Sequence, residues 1–282
     1  MNSLRLFLKY ARFRYILYRI FLRIKLGKTK RNEYFNKTAV SVIDFLPERT
    51  YSLNDIKLIP RKGTHDYFMF FIPREADVLQ HLTMNKDEIF LDIGANIGSY
   101  ALRIAKHYKE MGVNVIAIEA HPDNYKALCR NIQCNKLENI KTVNKAVAGH
   151  KGLVKMYERF HSGKRLGSDL YSIHDTFLGP SNVFKQDGKV IQVECDKLDN
   201  ILHSIEIDDV HVMKMDIEGA EALALQGASN TLQRLRKVIV EVHGDNLEAV
   251  RQILESHGFQ IMVTNAAMNH VIGTKYSKEL VS

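Results

Sequence analysis

From residue 86 onward, short apolar runs alternate with amphipathic stretches, a pattern that predicts alternating strands and helices. The apolar runs are rich in valine and isoleucine, as is typical of parallel strands that helices cover on both faces. We predict strands over Glu88–Ile93, Val113–Glu119, Lys141–Val147, Val210–Asp216 and Lys237–His243, and a closing hairpin from Phe259–Thr264 and Val271–Lys275. We predict helices that end at about Tyr108 and that cover Asp123–Asn135, Ala220–Gln226 and Leu247–His257. The fold class is therefore α/β, with a doubly wound, mostly parallel sheet.

The alternation is absent from two parts of the chain. Residues 32–85 are irregular, and we interpret them as a cap that leads into a main domain over residues 86–282. Within that domain, a stretch over about residues 150–190 is rich in glycine and serine and is bounded by strand-like runs. Long irregular segments in compact domains are often functional, so we favour a lid over the substrate rather than a variable loop.

The net charge of +8 belongs to one short segment. Residues 1–31 hold ten Lys and Arg and no acid, which leaves 30 basic and 32 acidic residues in the other 251, a net charge of −2. On a helical wheel, basic and large apolar side chains of this segment fall on opposite sides. Its uncharged runs are too short for a signal peptide or a membrane span.

Three interpretations of residues 1–31 stay open. We favour an amphipathic helix that lies on an anionic membrane surface, over a helix packed on the domain or a nucleic-acid-binding arm. The three cysteines form no metal-binding spacing, which indicates reduced thiols and a cytoplasmic protein, peripheral at the inner face of the membrane if the segment binds there. The sequence gives no indication of the oligomeric state.

A glycine turn follows the first predicted strand, in the order Asp92, Gly94, Asn96 and Gly98. A dinucleotide fingerprint would have a second glycine where Asn96 stands, so a pyrophosphate and a dehydrogenase are disfavoured. Asp92 can engage the ammonium of an amino-acid moiety, and Asn96 can bind its carboxylate beside a helix N-terminus. S-adenosylmethionine (SAM) contains such an amino-acid moiety and no pyrophosphate.

An acid, Glu119, ends the second predicted strand about twenty residues beyond the turn. An acid at this place binds ribose hydroxyls in dinucleotide enzymes, and the same geometry serves other adenosine ligands. The turn and Glu119 together therefore predict a site for adenosine without pyrophosphate.

Several blocks of residues 86–275 resemble the FkbM-type methyltransferase family. They are Leu91–Tyr100, Ile118–Pro122, Asp196–Asp199, Met213–Glu221 and Val240–His243, of which the pattern KxDxEGxE in the fourth is the most specific. The resemblance implies a SAM-dependent enzyme with the Rossmann-like class I methyltransferase fold, a seven-stranded sheet with an antiparallel C-terminal hairpin. It also implies O-methylation of hydroxyls on sugars and secondary metabolites. Together with the basic segment, it leads us to predict a hydroxyl on a sugar, a glycan or a lipid-linked saccharide as the acceptor.

By the same resemblance, nine residues would bind the cofactor. The methionine part would be held by Asp92, Gly94, Ala95, Asn96 and Gly98, the ribose by Glu119 and Ala120, and the adenine would be bordered by Asn144 and Ala146.

The fourth and fifth strands bring four candidate catalytic residues to the carboxyl edge of the sheet: Asp216, Glu218, Glu241 and His243. Histidine is the usual general base near neutral pH, so we predict that His243 deprotonates the acceptor while Asp216 positions it or the sulfonium. In the alternative reading, Glu218 caps the helix that follows, and Glu241 and His243 pair with a lid residue. Carboxylates suit Mg²⁺, but no dedicated cluster stands out, so a divalent metal is not favoured and no metal ligand is predicted.

Two other functions compete with this one. An RNA-directed methyltransferase could use the basic segment, but Asp216-Ile217-Glu218-Gly219 stands where amino-directed nucleic-acid enzymes place an Asn/Asp-Pro-Pro-aromatic motif. Nucleic acid is therefore a disfavoured partner. The other alternative is a module that binds a membrane or a partner without catalysis.

Overall fold

A computed structural model describes part of the chain: residues 49–61, 64, 66, 76–158, 160–161, 164–165, 171–172, 190–264 and 269–275. The chain divides into two compact units, Met1–Pro47 and Glu48–Ser282, and every described residue lies in the second. The basic segment over residues 1–31 lies outside the described residues. The boundaries at residues 31 and 85 therefore stay predictions.

The described residues form strands and helices in the predicted order. The strands are β1 (Tyr51–Leu53), β2 (Ile56–Leu58), β3 (Ile89–Ile93), β4 (Asn114–Ile118), β5 (Ile140–Val143), β6 (Ala146–Val147), β7 (Gly152–Glu158), β8 (Phe160–His161), β9 (Lys164–Arg165), β10 (Tyr171–Ser172), β11 (Val190–Asp196), β12 (Val212–Met215), β13 (Lys237–Val242), β14 (Gln260–Thr264) and β15 (Asn269–Thr274). The helices are α1 (Ala76–Leu79), α2 (Ser99–His107), α3 (Pro122–Asn135), α4 (Leu198–Ser204), α5 (Glu221–Gln226), α6 (Ser229–Arg234) and α7 (Leu247–Ser256), with a 3-10 turn over Lys109–Met111. The sequence pattern did not predict α4 and α6.

The central sheet has seven strands in the order β14-β15-β13-β12-β3-β4-β5. Strands β13, β12, β3, β4 and β5 pair in parallel, whereas β15 runs antiparallel to both of its neighbours. The structure thus confirms the α/β class, the doubly wound and mostly parallel sheet, and the antiparallel hairpin at its C-terminal end.

Helices cover both faces of the central sheet because its side chains alternate between them. Phe90, Val212 and Ile239 pack with α2 and α3 in one apolar cluster. Leu91 and Met213 pack with α4, α5, α6 and α7 in the other. By the same alternation, Asp92, Lys214 and Glu241 share the α2 side with the first cluster, and all three are buried. Two of the predicted site residues, Asp92 and Glu241, therefore lie on the same face of the central sheet.

A second sheet, in the order β10-β7-β11-β6, corrects one predicted strand. Lys141–Val147 does not form a single strand, because β5 belongs to the central sheet while β6 pairs with β11. Asn144 lies between them and donates from its amide to the carbonyls of Glu119 and Ala120. The strands predicted on either side of the insertion are confirmed as β7 and β11, but most of residues 159–189 lies outside the described part, so the lid stays a prediction.

The β1–β2 hairpin is fastened to α3 by asparagine side chains. Asn131 is fully buried and accepts a hydrogen bond from the amide of Ile59 at 3.0 Å, while its own amide donates to the carbonyl of Ile97 at 3.0 Å. Asn135 bonds both the amide and the carbonyl of Lys57 at 2.7 Å, closer to the surface. The residues before α1 are thereby tied to the loop that opens α2.

Among the described residues, no helix combines the length and the apolar character that a membrane crossing needs. Cys129, Cys134 and Cys195 are free cysteines.

Candidate functional site

The glycine turn lies directly against the loop after β12. Gly94 has a φ of +76°, and a Cβ there would overlap the carbonyl oxygen of Asp216. The amide of Asp216 in turn donates to the carbonyl of Ile93 at 3.0 Å. Only glycine fits at residue 94, because the backbone of a neighbouring loop occupies the place that a Cβ would take. The cofactor turn and the candidate catalytic acid therefore share one rigid edge.

Gly98 allows two helices to pack closely. Its φ is +95°, and a Cβ there would lie 2.8 Å from Cδ1 of Leu128 in α3. Gly98 precedes the first residue of α2 and lets α3 approach it.

Asp92 and Ala95 are both buried, at 1% and 4% exposure. The carboxylate of Asp92 accepts a hydrogen bond from the amide of Ala101 at 3.0 Å, which holds the first turn of α2. The amide of Ala95 donates to the carbonyl of Ile118 at 3.0 Å. The described bonds fasten the turn to its neighbours, and contact of either residue with a cofactor stays a prediction.

Asn96 and Glu119 are brought together as predicted for an adenosine site. The amide of Asn96 donates to Oε2 of Glu119 at 2.8 Å, and Asn96 has a left-handed φ of +51°. Its side-chain Oδ1 is buried and has no hydrogen-bond partner among the described residues. A buried acceptor of this kind is satisfied when a ligand donates to it, so the turn fits an ammonium or hydroxyl group.

The other oxygen of Glu119 accepts from the amide of His121 at 2.9 Å and from Nδ2 of Asn124 at 3.2 Å. Burial raises the pKa of the Glu119 carboxyl above its usual value, although these hydrogen bonds, the one from Asn96 and the nearby charge of Arg61 oppose the rise. Oε2 retains acceptor capacity for a ribose hydroxyl.

A chain of polar side chains reaches Glu119 from the segment after β2. Arg61 makes a two-point ion pair with the buried Asp66, at 2.8 Å for both Nε and Nη2. Its Nη1 donates to Oδ1 of Asn124 at 2.9 Å, which directs the amide nitrogen of Asn124 toward Glu119. The sequence analysis missed these residues, because Arg61 and Asp66 lie in a segment without periodicity.

The predicted adenine border lies where the two sheets meet. Asn144 bonds the carbonyls of Glu119 and Ala120, so it fixes the end of β4 beside the nucleotide acid. Ala146 is 4% exposed and packs with Cys195 in the small core of the second sheet, where Ala120 also packs. Contact of Ala120, Asn144 and Ala146 with adenine stays a prediction.

Asp216 lies at the end of β12 with its side chain 20% exposed. Its Oδ2 accepts from Nζ of Lys214 at 3.1 Å, and this lysine is buried, with its ammonium 4.7 Å from the centre of the Tyr100 ring. The lysine therefore supplies a fixed positive charge beneath the acid. A lysine within the apolar run of β12 was a visible signal that the sequence analysis did not use.

His243 follows β13 and lies among carboxylates. Its Nδ1 is 3.0 Å from Oε1 of Glu221, and its Nε2 is 3.5 Å from both Glu218 and Glu241. Burial opposes its protonation, but the hydrogen bonds to Glu221 and Glu241 and the charges of Glu218 and Asp216 prevail and raise the pKa of His243 to about 11. A pKa raised in this way disfavours proton acceptance by His243 at neutral pH, and its role as general base stays a prediction.

Glu221 and Glu241 are buried partners of this histidine. Glu221 accepts from the amide of Gly219 at 2.8 Å, so the acid at the start of α5 is Glu221, whereas the alternative reading gave the cap to Glu218. Glu241 lies opposite His270 in the pairing of β13 with β15, with Oε2 3.5 Å from Nε2 of that histidine. Burial raises the pKa of Glu241, but the hydrogen bonds to His243 and His270 and the charge of Lys214 prevail and lower it.

Three donors of this cluster are close enough to share a metal ion. One ligand atom each from Asp216, Glu241 and His243 lies within 4.8 Å of the other two. The donors come from the ends of two strands, and Asp216 is 25 or more residues away from Glu241 and His243 along the chain. No dedicated metal cluster was therefore recognisable in the sequence. All four predicted catalytic residues are thus brought together at one edge.

The chain is similar in sequence to known proteins. The methyltransferase FkbM domain matches residues 92–261, more than half of the chain. The hexuronic acid methyltransferase AglP of Haloferax volcanii is 25% identical over 212 residues, 71% of this chain and 77% of that protein. A tRNA(Phe) (4-demethylwyosine(37)-C(7)) aminocarboxypropyltransferase of Methanocaldococcus jannaschii is 41% identical over 56 residues, 20% of this chain and 22% of that protein.

Among solved structures, methyltransferase FkbM from Methylobacillus flagellatus is 20% identical, with a TM-score of 0.46, over 68% of this chain and 45% of that one. This chain therefore matches less than half of that structure. The domain match includes the glycine turn, Glu119 and all four predicted catalytic residues. The chain accordingly belongs to the FkbM methyltransferase family.

Proposed function

We propose that this methyltransferase uses SAM to methylate a hydroxyl of a sugar, either free or within a glycan or lipid-linked saccharide. The observation that supports the proposal best is the close approach of Gly94 to the backbone of Asp216, because it brings the glycine turn and the predicted catalytic acids to one edge of the sheet. The likeness to a hexuronic acid methyltransferase supports a sugar as the acceptor class.

The chain's own residues provide binding and proton acceptance. Asn96 and Glu119 offer acceptors to the amino-acid and ribose parts of the cofactor, which supplies a methyl group on a sulfonium sulfur. The acceptor oxygen forms a bond to this methyl carbon as the sulfur–carbon bond breaks, and the electron pair stays on sulfur. The hydroxyl proton passes to a carboxylate, for which Asp216 and Glu218 are available, with side chains 20% and 18% exposed.

Calorimetric titration with S-adenosylhomocysteine tests the cofactor. We expect Asn96→Ala and Glu119→Gln to weaken binding by about tenfold or more, because each loses an acceptor worth about 1.4 kcal/mol. Asp123→Asn is the matched control, since Asp123 is 59% exposed at the start of α3. A folded wild-type protein that does not bind the ligand would exclude SAM and favour the non-catalytic alternative.

Transfer of labelled methyl groups to hexoses, hexuronic acids and their glycans tests the acceptor. We expect Asp216→Asn to reduce kcat by about 100-fold, a typical loss for a proton-accepting group, while the affinity for S-adenosylhomocysteine changes by less than about threefold. Label in an ether of the sugar supports the proposal. Label in RNA instead of a sugar would support the RNA-directed alternative.

A further inference from the structure

The acid–histidine cluster has the donor set of a metal site rather than that of a base and its partner. We define this cluster by Asp216, Glu241 and His243, whose donor atoms lie within 4.8 Å of one another. Donors bound to one octahedral ion at about 2.1 Å are about 3.0 Å apart when adjacent and about 4.2 Å apart when opposite. The Nε2 of His243 and Oε1 of Glu241 are 3.5 Å apart, inside that range. Small side-chain adjustments would therefore bring all three donors onto a single ion.

The imidazole of His243 is oriented by a hydrogen bond at its Nδ1. Its Nδ1 faces Glu221, whose side chain is fully buried and is itself held by the amide of Gly219 and by Nδ2 of Asn246. A cation that binds Nε2 would displace the second ring proton of His243, while Nδ1 would keep its proton and donate it to Glu221. Histidine ligands of metals commonly donate their other ring nitrogen to a carboxylate in this way, and a cluster of acids alone would have no such feature.

Charge gives a second reason for a cation. Four carboxylates lie around His243: Asp216, Glu218, Glu221 and Glu241. Lys214, His243 and His270 are among the basic side chains in contact with these carboxylates. Because like charges in a poorly solvated site repel strongly, a divalent cation would stabilise this arrangement.

We propose that Asp216, Glu241 and His243 bind one divalent cation of the Mn²⁺ or Mg²⁺ class. Carboxylate oxygens suit these ions, and an imidazole is a ligand that Mn²⁺ also accepts. Three protein ligands would leave further coordination positions of such an ion for water or the acceptor. The role of the ion rests on the proposed function: it binds the acceptor hydroxyl and makes its proton easier to lose to Glu218, which lies outside the ligand set.

Mn²⁺ binding to the full chain, stripped of metal with a chelator, tests the site without any turnover. We expect calorimetry to show one Mn²⁺ per chain, and pulsed electron paramagnetic resonance to show the ¹⁴N coupling of an imidazole ligand. Asp216→Asn and His243→Gln should each weaken Mn²⁺ binding at least tenfold. Glu248→Gln is the control, since Glu248 is an acid 63% exposed on α7, and it should bind as the wild type does.

The ¹⁴N signal of the wild-type protein makes the test independent of whether a variant folds. Absence of Mn²⁺ binding, or binding without imidazole coupling, would overturn the proposed site. The proposed function fails separately, if S-adenosylhomocysteine does not bind. Methyl transfer that continues unchanged in chelator would overturn the catalytic role of the ion even where the ion binds.

Discussion

At the scale of single residues, Gly94 determines how closely the two halves of the site approach. Gly94→Ala should lower the free energy of unfolding by about 3 kcal/mol or more, because the new Cβ combines an unfavourable φ with an overlap of the Asp216 carbonyl. Gly258→Ala is the matched control, since its φ is also positive, at +82°, but nothing lies within 4 Å of a Cβ there. It should lose only about 1 kcal/mol. Equal losses in urea unfolding would show that the carbonyl contact is unimportant.

A second residue-scale prediction concerns Glu88, which precedes β3. The Nε and Nη2 of Arg236 donate hydrogen bonds to its carboxylate, both at 2.6 Å, and the amide and side chain of Asn85 donate two more. Burial raises the pKa of Glu88, but these partners prevail and lower it below the ordinary value of 4.5. The stabilisation is therefore complete above pH 4.5 and is lost as the pH falls through the lowered pKa.

Glu88→Gln should consequently reduce the free energy of unfolding by about 2 kcal/mol near neutral pH. The difference from the wild type should shrink as the pH falls from about 5 toward 3. Urea unfolding across this pH range measures it. A difference that does not change with pH would mean that the charge of Glu88 contributes little.

The sequence predicted which residues of the strand ends come together better than it predicted their surroundings. Asp216, Glu218, Glu241 and His243 are neighbours because strand ends at one edge converge whatever the packing. The raised pKa of His243 was not predictable, because it depends on Glu221, a partner fixed only by the fold. The buried Lys214, by contrast, was recognisable from the apolar residues on either side of it.

At the scale of elements, the β1–β2 hairpin depends on one buried amide of α3. Asn131→Leu should cost about 2–4 kcal/mol, because the amide of Ile59 and the carbonyl of Ile97 would both lose a buried partner. Asn135→Ala is the control on the same face, and its more exposed bonds to Lys57 should cost less than about 1 kcal/mol. Thermal unfolding of both variants checks the order, and a larger loss for Asn135→Ala would contradict it.

The segment after β2 also supports the nucleotide acid. Arg61→Ala should weaken binding of S-adenosylhomocysteine by about tenfold, because Asn124 would no longer be held toward Glu119. Arg130→Ala is the matched control, since Arg130 holds the same segment through the carbonyl of Ile59 and its described bond does not involve Asn124. Equal binding by the two variants would show that Arg61 only stabilises the fold.

The elements themselves were largely predictable. Strands β3, β4, β12 and β13 follow from the apolar pattern, because each is buried on both faces. The break at Asn144 was missed because it depends on hydrogen bonds to the end of β4, which no local pattern records. The helices α4 and α6 are seven and six residues long, too short for a clear amphipathic period.

At the scale of the whole molecule, the sequence combines a slightly acidic domain with a basic first segment. We expect the full chain to bind vesicles that contain anionic lipid and to be released by salt, because about 1 kcal/mol per basic residue comes from the surface potential. A variant with glutamine in place of five basic residues should lose this binding: Arg5, Lys9, Arg12, Arg19 and Arg23.

The control carries the same loss of charge elsewhere, on lysines of the domain. Glutamine replaces five of them there: Lys57, Lys86, Lys106, Lys126 and Lys136. Vesicle sedimentation should separate the two variants, whereas their affinity for S-adenosylhomocysteine should be equal. Equal sedimentation would show that total charge matters and that the position of the first segment does not.

The overlap that excludes a side chain at Gly94 also limits how this protein can recombine with its relatives. Two backbone stretches meet where Gly94 contacts Asp216: Gly94–Gly98 and Asp216–Glu221. A long intervening sequence separates them. A single crossover at any point between them joins the turn of one parent to the strand end of the other. The resulting misfit would involve main-chain atoms, so a change of side chain could not relieve it. In building chimeras, the two stretches should therefore be inherited as one block.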